Sequence, residues 1–321
     1  MLPHVHVFGL HIPMYTLMLA VGLVFFFTLF VYYFRAEYRG DRVTFNRLTF
    51  STCLSVVTLA ITAFLFDTLF HSISEGVLTL GGITWLGGVV GAFPAVLIFT
   101  HLFVPKKRGY ELDILDNLIP GVAIAHAFGR VGCFLGGCCF GRLTDSALGV
   151  SFPAGSPAAE LYPGVDGGAS LPVLPTQLFE AVFELILFVT LFFVSRKTRK
   201  YNTAIWSIAY GIFRFLLEFL RGDDRGSAVF SLSPAQILSI FLFVFGVLVL
   251  LLRRGLIFHR LTAVLEQWRE QSDSLPILSY DEVSGSRVNS EILLELYRLK
   301  EKGIITEEEY EKKKSEISER I

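Results

Sequence analysis

Long apolar runs alternate with short polar connections along most of the chain. A bilayer core of about 30 Å takes roughly 20 mainly apolar residues in helix to cross. On that scale the pattern predicts spans at 13–34, 48–70, 84–104, 113–139, 177–195, 203–220 and 232–252. The fourth run carries Asp113, Asp116, His126 and Arg130 inside an apolar stretch. Ionisable groups at membrane depth face protein or a water-filled cavity. That run therefore belongs inside the bundle, either as a full span or as a partly re-entrant segment.

Beyond residue 252 the pattern changes. Ile257, Leu261, Val264, Leu265 and Trp268 fall on one helical face with charges opposite, which predicts a helix lying in a membrane interface. Residues 271–288 read as a Ser- and Asp-rich linker. Residues 289–321 carry the signals of a helical hairpin. A first helix runs from Ser290 to Lys302, with Ile292, Leu293, Leu296 and Leu299 apolar. Gly303 suits a left-handed cap. Thr306 with Glu309 forms a capping box and Ile305 with Tyr310 a hydrophobic staple. A second helix follows, with Tyr310, Ile317 and Ile321 apolar. The expected architecture is an all-α polytopic membrane protein. It comprises a seven-span domain over 1–255, an interfacial helix and linker over 256–288, and a small hairpin over 289–321.

Composition agrees with lipid as the solvent. Hydrophobic residues make up 53% and charged residues 18%, against about a quarter charged in soluble domains. With 31 Phe and 3 Met, the apolar surface is bulky. The net charge of −1 is uninformative as a sum, and no nucleic-acid partner is expected. The distribution of charge says more. Arg35, Arg39, Arg42 and Arg47 occupy the first connection. Lys106, Lys107 and Arg108 occupy the third, and Arg196, Lys197, Arg199 and Lys200 the fifth. Arg253 and Arg254 follow the last span, while 71–83 has no basic residue and 140–176 only Arg142. The bias of Lys and Arg toward cytoplasmic loops places the N-terminus outside and the C-terminus in the cytoplasm. No basic residue precedes the first run, so it reads as a retained span rather than a cleavable signal peptide.

Three segments carry candidate chemistry. In GRVGCFLGGCCFG, Gly129–Gly141, five glycines surround Arg130. Glycines permit tight turns and close backbone approach. Arg130 either snorkels to a headgroup or anchors a built anion site with exposed backbone N–H groups. In YGIFRFLLEFLRG, residues 210–222, Arg214, Glu218 and Arg221 are spaced i, i+4, i+7 along one helical face. They form either a structural ion pair or a second phosphate-binding arginine oriented by its own carboxylate. In GGITWLGG, residues 81–88, paired glycines allow either helix packing or a ligand-facing turn.

Cys133, Cys138 and Cys139 would lie on the outer side, where a Cys133–Cys138 or Cys133–Cys139 disulfide is open, and Cys53 inside a span. Zinc takes about four N or S ligands, and these cysteines with His126 make a weak match, so no metal is expected. His4, His6 and His11 form a loose cluster read as interfacial.

Together these pieces resemble the prolipoprotein diacylglyceryl transferase family. Tyr15 in HIPMYTLMLAVG is similar to the family's early H-x-Y-G-like span. Asp116 in LDNLIPG and Arg130 in GRVG resemble its signature G-R-x-G-N-F-x-N-x-E-x-x-G. LPTQLFEA, with Gln177 and Glu180, resembles H-P-[ST]-Q-L-Y-E. YGIFRFLLEFLR resembles Y-G-x-x-R-x-x-x-E-x-x-R, and Gln236 in SPAQILS resembles G-Q-I-L-S. The likeness runs over residues 10–252 in order. The terminal YRLKEKGIITEEEYEKKKSEI resembles the short SHOCT domain, which suggests self-association or docking.

The resemblance implies transfer of a diacylglyceryl group from phosphatidylglycerol to the lipobox cysteine of prolipoprotein signal peptides, in the bacterial inner membrane and without a cofactor. It implies catalytic roles for Arg130, Arg214 and Glu218. Substrate-binding roles fall to Tyr15, Arg130, Gly132, Gly141, Gln177, Glu180, Arg214 and Arg221. The chain departs from the family pattern at Cys133, Gly136 and Cys138, which replace two Asn and a Glu. It departs again at Leu86, where a His or Tyr is usual, and at Thr16, where a Gly is usual. Leucine accepts no proton, so His126, four residues before Arg130, is the expected substitute base. Two other readings stay open: an idle or repurposed lipid-binding member of the family, and a lipid or small-molecule transporter.

Overall fold

The computed structural model describes residues 4–7, 10–38, 41–80, 82–194, 199–222, 232–257, 259–275, 293, 296–297, 300 and 306–318. A short hairpin opens the chain: β1 (His4–Val7) pairs antiparallel with β2 (Leu10–Pro13), His6 opposite His11. Seven helices long and apolar enough to cross a membrane follow. They are α1 (Met14–Glu37), α2 (Arg42–Glu75), α3 (Trp85–Phe103), α4 (Glu111–Gly136), α6 (Thr176–Val189), α7 (Asn202–Leu217) and α8 (Pro234–Arg253). A one-turn helix, α5 (Pro157–Leu161), lies in the α4–α6 connection. After the spans come α9 (His259–Asp273) and α10 (Glu307–Ser318).

The fourth run is one continuous helix rather than a re-entrant segment, and α4 is the centre of the bundle. It packs against α1, α3, α6 and α7, and it buries more of its length than any other span. It stops at Gly137, whose φ of 71° lets its N–H return to the Cys133 and Phe134 carbonyls. That left-handed cap ends the helix short of the expected residue 139.

The glycines after Thr84 serve helix packing. A Cβ at Gly87 would meet Phe66 at 2.5 Å, one at Gly88 the Leu59 carbonyl at 2.9 Å, and one at Gly91 Thr62 at 2.3 Å. They let α3 lie directly on α2. Leu86 itself is 2% exposed within the main apolar core. The α4–α6 connection folds over one end of the bundle around a second small core of Phe140, Phe152, Ala158 and Val173.

The helical face expected for Arg214, Glu218 and Arg221 is only partly formed. α7 tightens into a 3₁₀ turn at Glu218–Leu220, and Arg221 is extended, its backbone bridged to Gly141. Arg221 therefore leaves the face that Arg214 and Glu218 share.

Basic residues gather at the opposite end. Lys106 Nζ lies 3.0 Å from Asp41, Lys107 stands over Tyr38, Arg199 over Tyr33 and Arg254 over Tyr201. Asp116 belongs to this end too. Buried to 1% exposure, it accepts from the Thr203 N–H at 2.7 Å and from Arg253 Nη2 at 2.5 Å. At 1.5 Å per residue it stands about 21 Å along α4 from Arg130. It locks α4 to α7 and α8 and is not part of one site with Arg130.

α9 crosses the same end. Arg269 donates to the Gly109 carbonyl at 2.8 Å and to Asp113 at 2.5 Å, and the Tyr110 hydroxyl donates to Asp273 at 2.8 Å. Between α9 and the α3, α4 and α8 ends lies an apolar groove of about 670 Å³. At the start of α10 the expected capping box is formed: the Glu309 N–H donates to Thr306 Oγ1 at 3.2 Å, and the Thr306 N–H to Glu309 at 2.9 Å. Gly303, Ile305, most of the first hairpin helix, the linker beyond residue 275, and Arg39, Arg196 and Lys197 lie outside the described residues.

Candidate functional site: a carboxylate held by two arginines

Three central helices each present polar groups one turn apart. α4 contributes His126 and Arg130, α6 Glu180 and Glu184, and α7 Trp206, Tyr210 and Arg214, with Glu218 opening the 3₁₀ turn that follows. Spacing of i, i+4 puts each set on one face, and the packing of α6 and α7 on α4 turns the faces together.

The first layer is centred on Glu180, which is fully buried. Arg130 Nε lies 3.0 Å from its Oε2 and Arg214 Nε 3.8 Å from its Oε1, so each arginine approaches a different oxygen. The Tyr210 hydroxyl donates to Oε1 at 2.6 Å. Arg214 Nη1 also reaches Glu218 Oε2 at 2.6 Å. The second layer is centred on Glu184. It meets His126 Nδ1 at 2.9 Å and accepts from Trp206 Nε1 at 2.9 Å. His126 joins the layers, because Arg130 Nε donates to its Nε2 at 3.0 Å. A guanidinium only donates, so Nε2 is the acceptor and Nδ1 carries the proton donated to Glu184. Trp85 stacks flat on the imidazole, with ring centres 4.2 Å apart.

Tyr15 sits in the first turn of α1, against Gly132. A Cβ there would stand 3.1 Å from the Tyr15 Cα. Gly141 is wedged between strand-like segments, its N–H donating to the Leu174 carbonyl at 2.8 Å. A Cβ on it would meet the Leu220 carbonyl at 2.7 Å. The observed contacts of Gly132 and Gly141 are thus packing contacts. Gln177, buried one turn before Glu180, donates through Nε2 to the Cys138 carbonyl at 2.6 Å.

Gln177 Oε1 is buried without a hydrogen-bond partner, whereas Glu180 Oε2 is held by Arg130 and Glu218 Oε2 by Arg214 Nη1 in ion pairs. Buried polar groups are otherwise nearly always satisfied. An unpaired acceptor one turn from the arginines suits a place where a ligand's polar group enters.

The sequence reading missed Glu184, Trp206 and Tyr210. The available signal was a matching i, i+4 ladder: Glu180 and Glu184 on one run, His126 and Arg130 on another. The expected assembly of Arg130, Arg214, Glu218, His126, Glu180 and Gln177 is present in space. Arg221 is close in chain but on the extended segment, and Asp116 is at the far end of α4.

Residues 3–252 match the family model for prolipoprotein diacylglyceryl transferase. The chain belongs to that family. A phosphatidylglycerol–prolipoprotein diacylglyceryl transferase of Clostridium tetani (strain Massachusetts / E88) is 37% identical over 163 residues, which is 50% of this chain and 61% of that protein. A second transferase of that name, from Clostridium perfringens (strain 13 / Type A), is 31% identical over 259 residues, 75% of this chain and 91% of that protein. One from Stenotrophomonas maltophilia (strain R551-3) is 36% identical over 188 residues, 54% of this chain and 62% of that protein. For two of these three, then, the chain spans under two thirds of the relative's length. The matched residues cover the seven-span part of the chain, which contains both carboxylate layers. α9 and α10 lie beyond the matched residues.

Proposed function

We propose that this chain transfers a diacylglyceryl group from phosphatidylglycerol to the lipobox cysteine thiol of prolipoproteins, with glycerol phosphate leaving. The observation that carries the reading is the pair of arginines meeting on Glu180 from two different spans. As the C–O bond to phosphate breaks, negative charge grows on the leaving oxygen. Fixed donors in a dry, low-dielectric site stabilise such charge strongly and need little reorganisation. Arg130 and Arg214 supply the donors. Glu180, with Tyr210, sets their separation, and Glu218 orients Arg214. Tyr15 and Gln177 face the donor lipid's polar part.

His126 is a positioning group in this scheme. Both of its nitrogens are engaged, Nε2 by Arg130 and Nδ1 by Glu184. It holds the guanidinium rather than receiving a thiol proton. The earlier assignment of His126 as a substitute base has no support in this geometry.

The test uses the full-length chain in phosphatidylglycerol vesicles with a lipobox peptide. Release of glycerol phosphate should require the peptide's cysteine and should stop when serine replaces it. The peptide should gain the mass of a diacylglyceryl group. No release with either peptide would reject the assignment and leave a lipid-binding family member.

The basic end supports a bacterial inner-membrane orientation with the N-terminus outside and the C-terminus in the cytoplasm. Alkaline phosphatase fused after residue 270 should be inactive, and inserted within 155–170 it should be active. The reverse pattern would put the arginine site on the wrong face. We also propose that α9 rests on the inner leaflet and that the terminal hairpin mediates self-association or docking.

A further inference from the structure

The turn that ends α4 gathers three thiols. The sulfurs of Cys133, Cys138 and Cys139 all lie within 4.8 Å of one another, and none is in a disulfide. Spacing alone did not suggest this, because Cys133 is on the helix and the others are beyond it. The reversal at Gly137 and an unusual backbone at Cys139 bring them together. Cys139 has φ of 62°, the one non-glycine residue in the left-handed region among the described residues. Such strain persists where surrounding structure imposes it, and it concentrates at functional sites. The imposing contacts come from α6: Thr176 Oγ1 donates to the Cys139 carbonyl at 2.9 Å, and Gln177 Nε2 to the Cys138 carbonyl at 2.6 Å.

A second observation concerns what the arginine site lacks. Its candidate bases are all engaged: His126 at both nitrogens, Glu184 by His126 and Trp206, Glu180 by two arginines and Tyr210, Glu218 by Arg214. Leu86 is buried in the apolar core. A thiol is a poor nucleophile until it is a thiolate, and no side chain in the two layers is placed to make one.

We propose that Cys133, Cys138 and Cys139 bind a zinc ion, and that its fourth position takes the substrate's cysteine sulfur as a thiolate. This rests on the transferase reading above. Zinc–sulfur bonds of about 2.3 Å put tetrahedral sulfurs about 3.8 Å apart, so the observed cluster needs only a small contraction. Soft thiolate ligands select zinc or copper(I). Three protein ligands with an open fourth position is the pattern of catalytic zinc, and a thiol that coordinates it is deprotonated. The carbonyl contacts from Thr176 and Gln177 hold the ligand loop as outer-shell partners do.

The placement suits the reaction. Cys133 is three residues beyond Arg130 on α4, about 4.5 Å along the axis, and Gln177, which holds the Cys138 carbonyl, is three residues before Glu180 on α6. On coordination the thiol proton leaves to water on the outer face. The sulfur electron pair then forms the S–C bond to the glyceryl carbon. The C–O bond to phosphate breaks, and its electron pair departs on glycerol phosphate beside Arg130 and Arg214. The neutral thioether then has little hold on the metal.

The experiment uses the full-length Cys53→Ser chain, purified in detergent under reductant; Cys53 is exposed on α2, away from the cluster. Competition with a chromophoric chelator should show one zinc equivalent, and Cys138→Ser or Cys139→Ser should weaken it by more than about 100-fold. In the unsubstituted protein, which avoids variants that fold poorly, zinc should protect three of the four cysteines from alkylation. With cadmium as the probe, the thiolate charge-transfer band should grow when a cysteine lipobox peptide is added and stay constant with the serine peptide. A disulfide among the three cysteines in protein isolated without reductant, or no metal binding, would overturn the proposal. So would equal charge-transfer bands with both peptides. Glycerol phosphate release at full rate from metal-free protein would remove the zinc and leave the transferase reading standing. Zinc and thiol binding without release would uphold the site and count against the transfer.

Discussion

Glu180→Gln is expected to reduce diacylglyceryl transfer by at least about 100-fold while the protein still inserts as a seven-span bundle. The carboxylate lies among Arg130, Arg214 and the Tyr210 hydroxyl, with no solvent contact. The amide keeps the shape and removes the charge, and its NH₂ would face a donor where Glu180 offers an acceptor. Two guanidiniums then repel each other in a low-dielectric site, and the separation that suits one phosphate is lost. Removing one donor of such a site typically lowers kcat by about 10²–10³, and here two are displaced together. Leaving a buried charge without its partner also costs about 3–5 kcal/mol in stability, so thermal unfolding in detergent should shift down. Kinetics and unfolding measured on the same preparation separate the effects. A variant with unchanged transfer would show that Glu180 does not hold the arginines in their working positions.

Arg214→Lys should lower kcat by about 10²–10³ despite keeping the charge. Arg214 makes two contacts with different parts of one planar group: Nε toward Glu180 and Nη1 toward Glu218. A lysine ammonium is a point charge on a flexible stem and cannot reproduce that fork. It would settle on one carboxylate and leave the other unpaired. The loss should fall mainly on kcat, because the contact that matters strengthens as charge moves to the leaving phosphate. Glycerol phosphate release over a range of phosphatidylglycerol content measures the split. A lysine variant with wild-type kcat would reject the two-contact role.

The spans were legible because lipid imposes a one-dimensional rule. A helix must be apolar for about 20 residues to satisfy its backbone and its solvent together. Hence six of the seven helices fall close to the expected bounds, and α2 is longer because its polar ends, Arg42 to Asn46 and His71 to Glu75, continue the helix outside the apolar run. Arg130, Glu180, Arg214 and Glu218 were legible for the same reason, since a charge in an apolar run is costly to keep without a partner or a task. Which partner each one has was not legible. Asp116 and Arg130 sit on one run and in one motif, yet about 21 Å of helix separates them, and Asp116 binds Arg253 instead. Arg221 continued the i, i+4, i+7 series in the sequence, but the helix tightens at Glu218 and its backbone pairs with Gly141.

By itself the sequence determined the number of spans, the basic end, the capping box that opens α10 and the residues worth suspecting. Each of these depends on local spacing or on transfer between water and lipid, which a chain carries without its fold. Only the tertiary structure decided that Glu180 joins two arginines, that His126 is engaged at both nitrogens, and that three thiols meet beyond Gly137. Those are facts about helices that are distant in the chain and about one left-handed turn. Their geometry comes from how α4, α6 and α7 pack, and periodicity within a single run holds no record of it.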